Sequence, residues 1–148
     1  MTTESDIPLP EMFSIGVDII EVKRFRDLDL KSPFINRVFT FQEIAYCFGY
    51  SDPSSHLAVI FAGKEAVTKS LSSKITLSMK SIEILHDKDG SPQVHLSHLS
   101  DIKIELSLAH SKEYAVAVAM VIPKSQTANS LLFQNLLNEK TSELLPRK

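Results

Sequence analysis

The chain has 148 residues, a formal net charge of −2 and a single cysteine. This length suits one domain whose core needs no disulfide or metal staple. The near-neutral charge argues against a general nucleic-acid binder. Cys47 alone excludes an intrachain disulfide, and with no Cys/His cluster a thiolate zinc site has no support.

Residues 1–11 are polar, acidic and proline-bearing, which predicts a loose tail. They lack the basic start and apolar run of a secretory signal, and no apolar stretch is long enough to span a bilayer. The cytosol is the simplest compartment. Phe13, Ile15 and Val17 then alternate with Ser14, Gly16 and Asp18, the period of a strand, with Asp18 near its end. Residues 21–30 predict a short helix whose Lys23, Arg24 and Arg26 form a basic cluster. Taken alone, such a cluster is a solvated face. Thr40-Phe41-Gln42-Glu43 reads as a capping box and predicts a helix to about Phe48. Cys47 has apolar neighbours and is expected as a buried thiol. Residues 49–55 form a turn-rich break.

The next helix carries Phe61-Ala62-Gly63-Lys64-Glu65-Ala66-Val67-Thr68-Lys69. Phe61, Glu65 and Lys69 stand four residues apart and stack along one side. Glu65 and Lys69 beside a buried face suit phosphate or metal chemistry. They equally suit an ordinary i,i+4 ion pair. Asp18 and Glu65 are the two acids at defined places in regular elements, and magnesium is commonly held by one or two carboxylates plus substrate phosphates. Spacing alone leaves them open as caps or ion-pair partners.

The period then changes. Residues 81–85 alternate as a strand, 86–92 hold strong breakers around Gly90 and Pro92, and 93–96 return. Ile102, Ile104, Leu106 and Leu108 alternate again, with His110 continuing their face. Taken alone, a histidine at such a strand end is more often structural than catalytic. Residues 114–122 are nearly all apolar and predict a strand buried on both faces. Helices early and antiparallel strands late predict an α+β domain over 12–123. Residues 124–148 follow as an extension, in which Leu131, Leu132, Phe133, Leu136 and Leu137 recur at helical spacing. Such an amphipathic helix covers its own domain or meets another subunit. No Walker-type phosphate loop and no Gly-x-Ser-x-Gly elbow is present.

Four segments in order resemble the small, bacterial-type holo-acyl-carrier-protein synthases, a branch of the 4'-phosphopantetheinyl transferases. They are Gly16-Val17-Asp18 with Arg24 six residues on; Arg37-Val38-Phe39-Thr40 through Glu43; Phe61-Ala62-Gly63-Lys64-Glu65-Ala66 with Lys69; and Ser107-Leu108-Ala109-His110. The resemblance runs from about residue 13 to 122. It implies a phosphopantetheinyl transferase-like fold, with helices packed on a small antiparallel sheet. It implies transfer of 4'-phosphopantetheine from coenzyme A to a serine of an apo acyl carrier protein, releasing adenosine 3',5'-bisphosphate. It places Asp18 and Glu65 on Mg2+, and Glu65 and Lys69 at the chemistry. The serine proton would go to Glu65 or to a metal-held water. Lys64, Lys69, Gly90, Pro92 and His110 would bind coenzyme A, and Lys23, Arg24 and Arg26 would meet the carrier protein. Relatives of this length are typically homotrimers with sites between subunits.

Four positions depart from the family pattern. Ile60 replaces a basic residue, Ser72 and Ser73 stand where glycine is usual, Ser91 replaces a charge, and Ala109 replaces a hydroxyl. Three of these touch the nucleotide side, and a lost charge-assisted bond to phosphate costs about 1.5–3 kcal/mol. The alternatives are a carrier-binding homologue without catalysis and a coenzyme A pyrophosphatase. Together with the added helix, the departures suggest a specialised role, with a polyketide or other secondary-metabolite carrier protein as one candidate partner beside a fatty-acid one.

Overall fold

A computed structural model describes residues 13–71, 75–97, 99, 102–122 and 130–145. The expected tail over 1–11 lies outside the described residues. The element order is β1 (Ser14–Glu21), a 3-10 turn (Val22–Phe25), α1 (Pro33–Val38), α2 (Phe41–Phe48) and α3 (Ser54–Leu71). Next come a second 3-10 turn (Met79–Ser81), β2 (Ile82–His86), β3 (Pro92–Leu96), β4 (Lys103–His110), β5 (Tyr114–Ile122) and α4 (Ser130–Glu143). The α+β class is borne out, with one three-stranded sheet in the order β1-β5-β4 and one β2-β3 hairpin, all antiparallel.

The helix expected over 21–30 is a single 3-10 turn. Val22 and Phe25 are buried three residues apart, which suits one tight turn. Beyond it, the Asp29 carboxylate accepts from the Lys31 amide and the Ser32 hydroxyl accepts from the Asp29 amide. These local bonds compete with helix extension. The short α1, which the sequence pattern does not reveal, opens with Pro33 in its first turn. The capping box on α2 forms as expected: Thr40 Oγ1 accepts from the Glu43 amide, and Glu43 Oε1 accepts from the Thr40 amide. Gly90 turns the β2-β3 hairpin at φ +88°, the left-handed region that favours glycine.

Helix α3 crosses the inner face of the three-stranded sheet. Ala115, Ala117, Ala119 and Val121 of β5 face it and belong to the same core as Ala62, Ala66 and Val67 of α3. The other face of β5 carries Val116, Val118 and Ile122, which are also buried. The strand is therefore covered on both sides, as its composition predicts. Much of the outer cover is α4, which packs chiefly on β4. Leu137 and Thr141 are buried, Ser107 Oγ donates to Asn138 Oδ1 at 2.8 Å, and Gln134 Nε2 donates to the Leu106 carbonyl at 2.7 Å. Leu131, Leu132 and Leu136 of the same helix stay exposed.

On β1 the two rows have opposite fates. Gly16, Asp18 and Ile20 lie on the α3 side, while Phe13, Ile15, Val17 and Ile19 are exposed, Ile19 to 59%. Gly16 permits the closest approach. A Cβ there would collide with the Ala66 carbonyl oxygen and lie 2.6 Å from the Ser70 amide nitrogen. Helix backbone thus rests directly on strand backbone, two residues before Asp18. Gly16→Ala is expected to lower stability by about 1–3 kcal/mol or more through overpacking, read as a fall in the urea midpoint. An unchanged midpoint would mean that α3 can shift away from β1 without cost.

Candidate active site

The close contact at Gly16 brings three charged side chains together. Asp18 leaves β1 on the α3 side, opposite Ala117 of β5. Lys69, in the last turn of α3, donates from Nζ to Asp18 Oδ1 and to the Val17 carbonyl, each at 3.0 Å. Glu65 lies one turn earlier and is half-buried. Burial, and next the negative charge of Asp18, hold its carboxyl above the usual carboxylate range, with Lys69 opposing. The i,i+4 pair that spacing suggests is therefore not the contact Lys69 makes. Its ammonium crosses to the strand and leaves Glu65 facing a second carboxylate.

Two carboxylates in mutual repulsion fit a divalent cation, which would relieve the cost of keeping both ionised. Among the described residues, no group of three or more His, Cys, Asp and Glu side chains is arranged as a metal cage. A site here leaves further coordination to substrate oxygens and water, the habit of magnesium.

Lys64 does something else. Its side chain is fully buried, and Nζ donates to the carbonyls of Val38 at 3.0 Å, Met79 at 2.9 Å and Ile82 at 2.8 Å. It also pairs with Glu43 Oε1 at 2.6 Å. An ammonium has three donors, and here all are engaged. Lys64, expected to help bind coenzyme A, thus has its ammonium hydrogens engaged by protein oxygens and its side chain shielded from solvent. Cys47 is buried beside this pair, and its thiol is pushed up to about 12, which makes it an inert core side chain.

A cleft of about 560 Å³ opens beside the N-terminus of α3. His110 lines it from the end of β4, with Arg26, Asp52, Ser54, Ser55 and Lys112. His110 is exposed and meets the His56 ring edge-on at 5.4 Å. Burial first, and then the neighbouring charges of His110 and His86, lower His56. Lys23 pairs with Glu21 at 3.0 Å, Arg24 is exposed, and Arg26 turns into the cleft. Gly90 and Pro92 belong to the β2-β3 hairpin and do not line this cleft. Ser72 and Ser73 lie outside the described residues.

Sequence reasoning missed Glu43 as the partner of Lys64, and Ser54, Ser55 and Lys112 as neighbours of His110. For Glu43 the one local signal, the capping box, explains its bond to the Thr40 amide but not its burial. The cleft residues carried no local pattern at all.

A family model described as the 4'-phosphopantetheinyl transferase superfamily matches residues 14–119. The holo-[acyl-carrier-protein] synthase of Thermodesulfovibrio yellowstonii is 42% identical over 109 residues, which cover 72% of this chain and 96% of the relative. That of Chlamydia muridarum is 45% identical over 117 residues, covering 74% and 94%. Among solved structures, the Bacillus anthracis holo-(acyl-carrier-protein) synthase in complex with CoA (3',5'-ADP) superposes with a TM-score of 0.64 at 32% identity, covering 73% of this chain and 94% of that one. The Neisseria meningitidis enzyme gives a TM-score of 0.65 at 28% identity, covering 74% and 97%. The chain belongs to the holo-[acyl-carrier-protein] synthase family of the 4'-phosphopantetheinyl transferase superfamily.

The raised Glu65 carboxyl has a sign that can be checked. A carboxyl held above its unfolded value binds its proton more tightly in the native state, so stability falls as pH rises above about 4.5. In metal-free protein at neutral pH, Glu65→Gln is therefore expected to melt at a higher temperature than the parent, with the gap closing as pH falls toward 4.5. Melting curves in a chelator across pH would show this; a variant that melts lower at every pH would contradict it.

Proposed function

We propose that this chain transfers 4'-phosphopantetheine from coenzyme A to a serine hydroxyl of an apo acyl carrier protein. The serine oxygen bonds to the β-phosphorus, the bond from that phosphorus to the bridging oxygen breaks, and adenosine 3',5'-bisphosphate leaves. The observation that carries this reading is the meeting of Asp18, Glu65 and Lys69 across the Gly16 contact, in a chain of this family.

Asp18 and Glu65 would hold Mg2+, whose charge, when bound, offsets that of the pyrophosphate and favours departure of the leaving phosphate. Glu65 also meets the first requirement of a proton acceptor, because its environment raises its affinity for a proton. Lys69 is anchored by only two contacts and is about half exposed, with 52% of its side chain accessible. It can turn from Asp18 toward phosphate oxygens, where a cation aimed at developing negative charge lowers the barrier. With Lys64 withdrawn into the core, His110, Arg26 and Lys112 at the cleft supply the remaining grip on the nucleotide. Arg24 and Lys23, exposed on the turn after β1, would meet the acidic carrier protein and chiefly raise its association rate.

Incubation with magnesium, coenzyme A and apo carrier proteins of fatty-acid and polyketide type, read by mass spectrometry, tests this. The expected product is a carrier heavier by one phosphopantetheine, and the preferred partner follows from the same panel. Chelation of the metal, or Lys69→Ala, is expected to slow transfer by about 100-fold or more, the scale for losing one preorganised charge contact. Carrier binding without any transfer would instead support the non-catalytic reading, and coenzyme A cleavage without a carrier would support a pyrophosphatase.

A homotrimer is the assembly proposed. It is supported by the exposed apolar row Phe13, Ile15, Val17 and Ile19 and by the exposed Leu132 and Leu136 of α4, with Phe13 and Phe133 in edge contact at 5.0 Å. Exposed apolar surface of this kind suits an interface. A neighbouring subunit would also bring a Gly90–Pro92 hairpin to a cleft that its own chain does not complete. Sedimentation equilibrium is expected to give three times the chain mass, and Val17→Lys to give monomers; a monomeric parent would end the proposal.

A further inference from the structure

We propose that the buried Glu43–Lys64 pair is a positioning device: it sets the roll of α3 and so aims Glu65 at Asp18. The inference rests on the transferase reading, but its first observable, metal binding, does not require turnover.

The argument begins with adjacency. Lys64 and Glu65 are neighbours on one helix, about 100° apart around its axis. Whatever fixes the direction of one fixes the direction of the other. Lys64 is held by four acceptors from four places: the end of α1, α2, the 3-10 turn before β2, and β2 itself. No other side chain in the described residues reaches so many elements from α3. Glu43 closes the ring. Oε1 takes both the Lys64 ammonium and the Thr40 amide, and Oε2 takes the Ile84 amide at 2.8 Å. On the opposite side of the helix, Gly16 permits the close approach to β1, and the directional bonds there, from Lys69 to Asp18 and Val17 and from Ser14 to the Ser70 carbonyl, all lie at the C-terminal end of α3. The ion pair supplies the directional bonds on the other flank, one residue from Glu65, and so completes the constraint on the roll of the helix.

Apolar packing could replace such a pair at little or no cost in stability. The directional bonds are what an apolar replacement could not reproduce. A displacement of about 1 Å at a reacting group can cost about 100-fold in rate, so modest rotation of α3 would be felt at Glu65 before it was felt in the fold.

The test compares Glu43→Met/Lys64→Met, which removes both charges together, with Glu43→Gln, which keeps the side-chain shape but leaves Lys64 without its countercharge. Thr40→Ala is the control, since it removes the cap hydroxyl and leaves the pair. Mn2+ is the probe, titrated by electron paramagnetic resonance in the absence of coenzyme A. Transfer is assayed well below each melting temperature, after circular dichroism has shown native helix content. The pair variants are expected to bind Mn2+ about tenfold more weakly. Where transfer occurs, kcat should fall by a similar factor, with KM for the carrier changed less than about threefold. Thr40→Ala should keep parent values at a comparable loss of melting temperature. Folded pair variants with parent Mn2+ affinity and kcat would overturn the proposal. So would a Thr40→Ala control that loses both in proportion to its stability. Should the parent transfer nothing, the transferase reading fails while the Mn2+ titration still decides this one.

Discussion

The interior of this protein is organised around one buried cation. Lys64 and Glu43 are both fully excluded from water, a placement that costs each ion several kcal/mol before their attraction repays it. Burial lowers Lys64, and the Glu43 charge and hydrogen bond oppose that shift. The pair is tolerable because almost every polar atom in it is used. Three backbone carbonyls, two backbone amides and one carboxylate share the ring. Remove either partner and the other becomes an uncompensated buried charge, a loss of about 3–5 kcal/mol. The ring also joins segments that sheet hydrogen bonds do not link. The β2-β3 hairpin belongs to a separate sheet from β1-β5-β4, and α1 and α2 belong to neither. Through Lys64 all of them are tied to α3.

Helix α3 consequently mediates between a structural centre on one flank and the candidate active site on the other. The same run of residues supplies both, and the two lysines of the motif divide the work. Lys64 is withdrawn and saturated; Lys69 is exposed and lightly held. Glu43 sits with a cation and amide donors around it. Glu65 sits with a carboxylate nearby and a lysine that bonds elsewhere. The first arrangement satisfies its charges, and the second leaves an electrostatic demand. Charge dissatisfaction of this kind, set in a rigid frame, is how a site gains affinity for an ion or for a charge that develops during reaction.

Much of this was legible in the sequence, and the limits are physical. Period-2 alternation located β1, β2 and β4, a nearly continuous apolar run located β5, and the capping box located α2, because these signals are local. The order of motifs led to Asp18, Glu65 and Lys69. What local pattern could not reveal was direction. Lys64 and Lys69 are both cations on one helix, and only the long-range packing of α3 separates the buried one from the reactive one. The same holds for β1, whose more apolar row faces outward and whose glycine and aspartate row faces the helix. A hydrophobicity rule would turn that strand over. The helix expected over residues 21–30 fails for a further reason: side chains of Asp29 and Ser32 bond to nearby groups and end the helical path.

The reversal on β1 follows from the sheet as a whole. The central strand β5 sorts its residues by size, with Ala115, Ala117 and Ala119 beneath α3 and Val116, Val118 and Ile122 on the far side. In register, Gly16 lies opposite Ala119 and Asp18 opposite Ala117. The inner face is thus paved with the smallest side chains, and α3 can settle against it. That closeness lets a lysine of the helix reach a carbonyl and a carboxylate of the strand with the same ammonium. The larger residues are displaced outward, where α4 covers β4 and part of β5 and β1 is left bare. Because α4 lies beyond the residues that match the family model, the cover on that outer face comes from outside the matched region. The exposed apolar row on β1 is then the counterpart of the candidate active site, since the small residues that admit the helix on one face leave the bulky ones on the other.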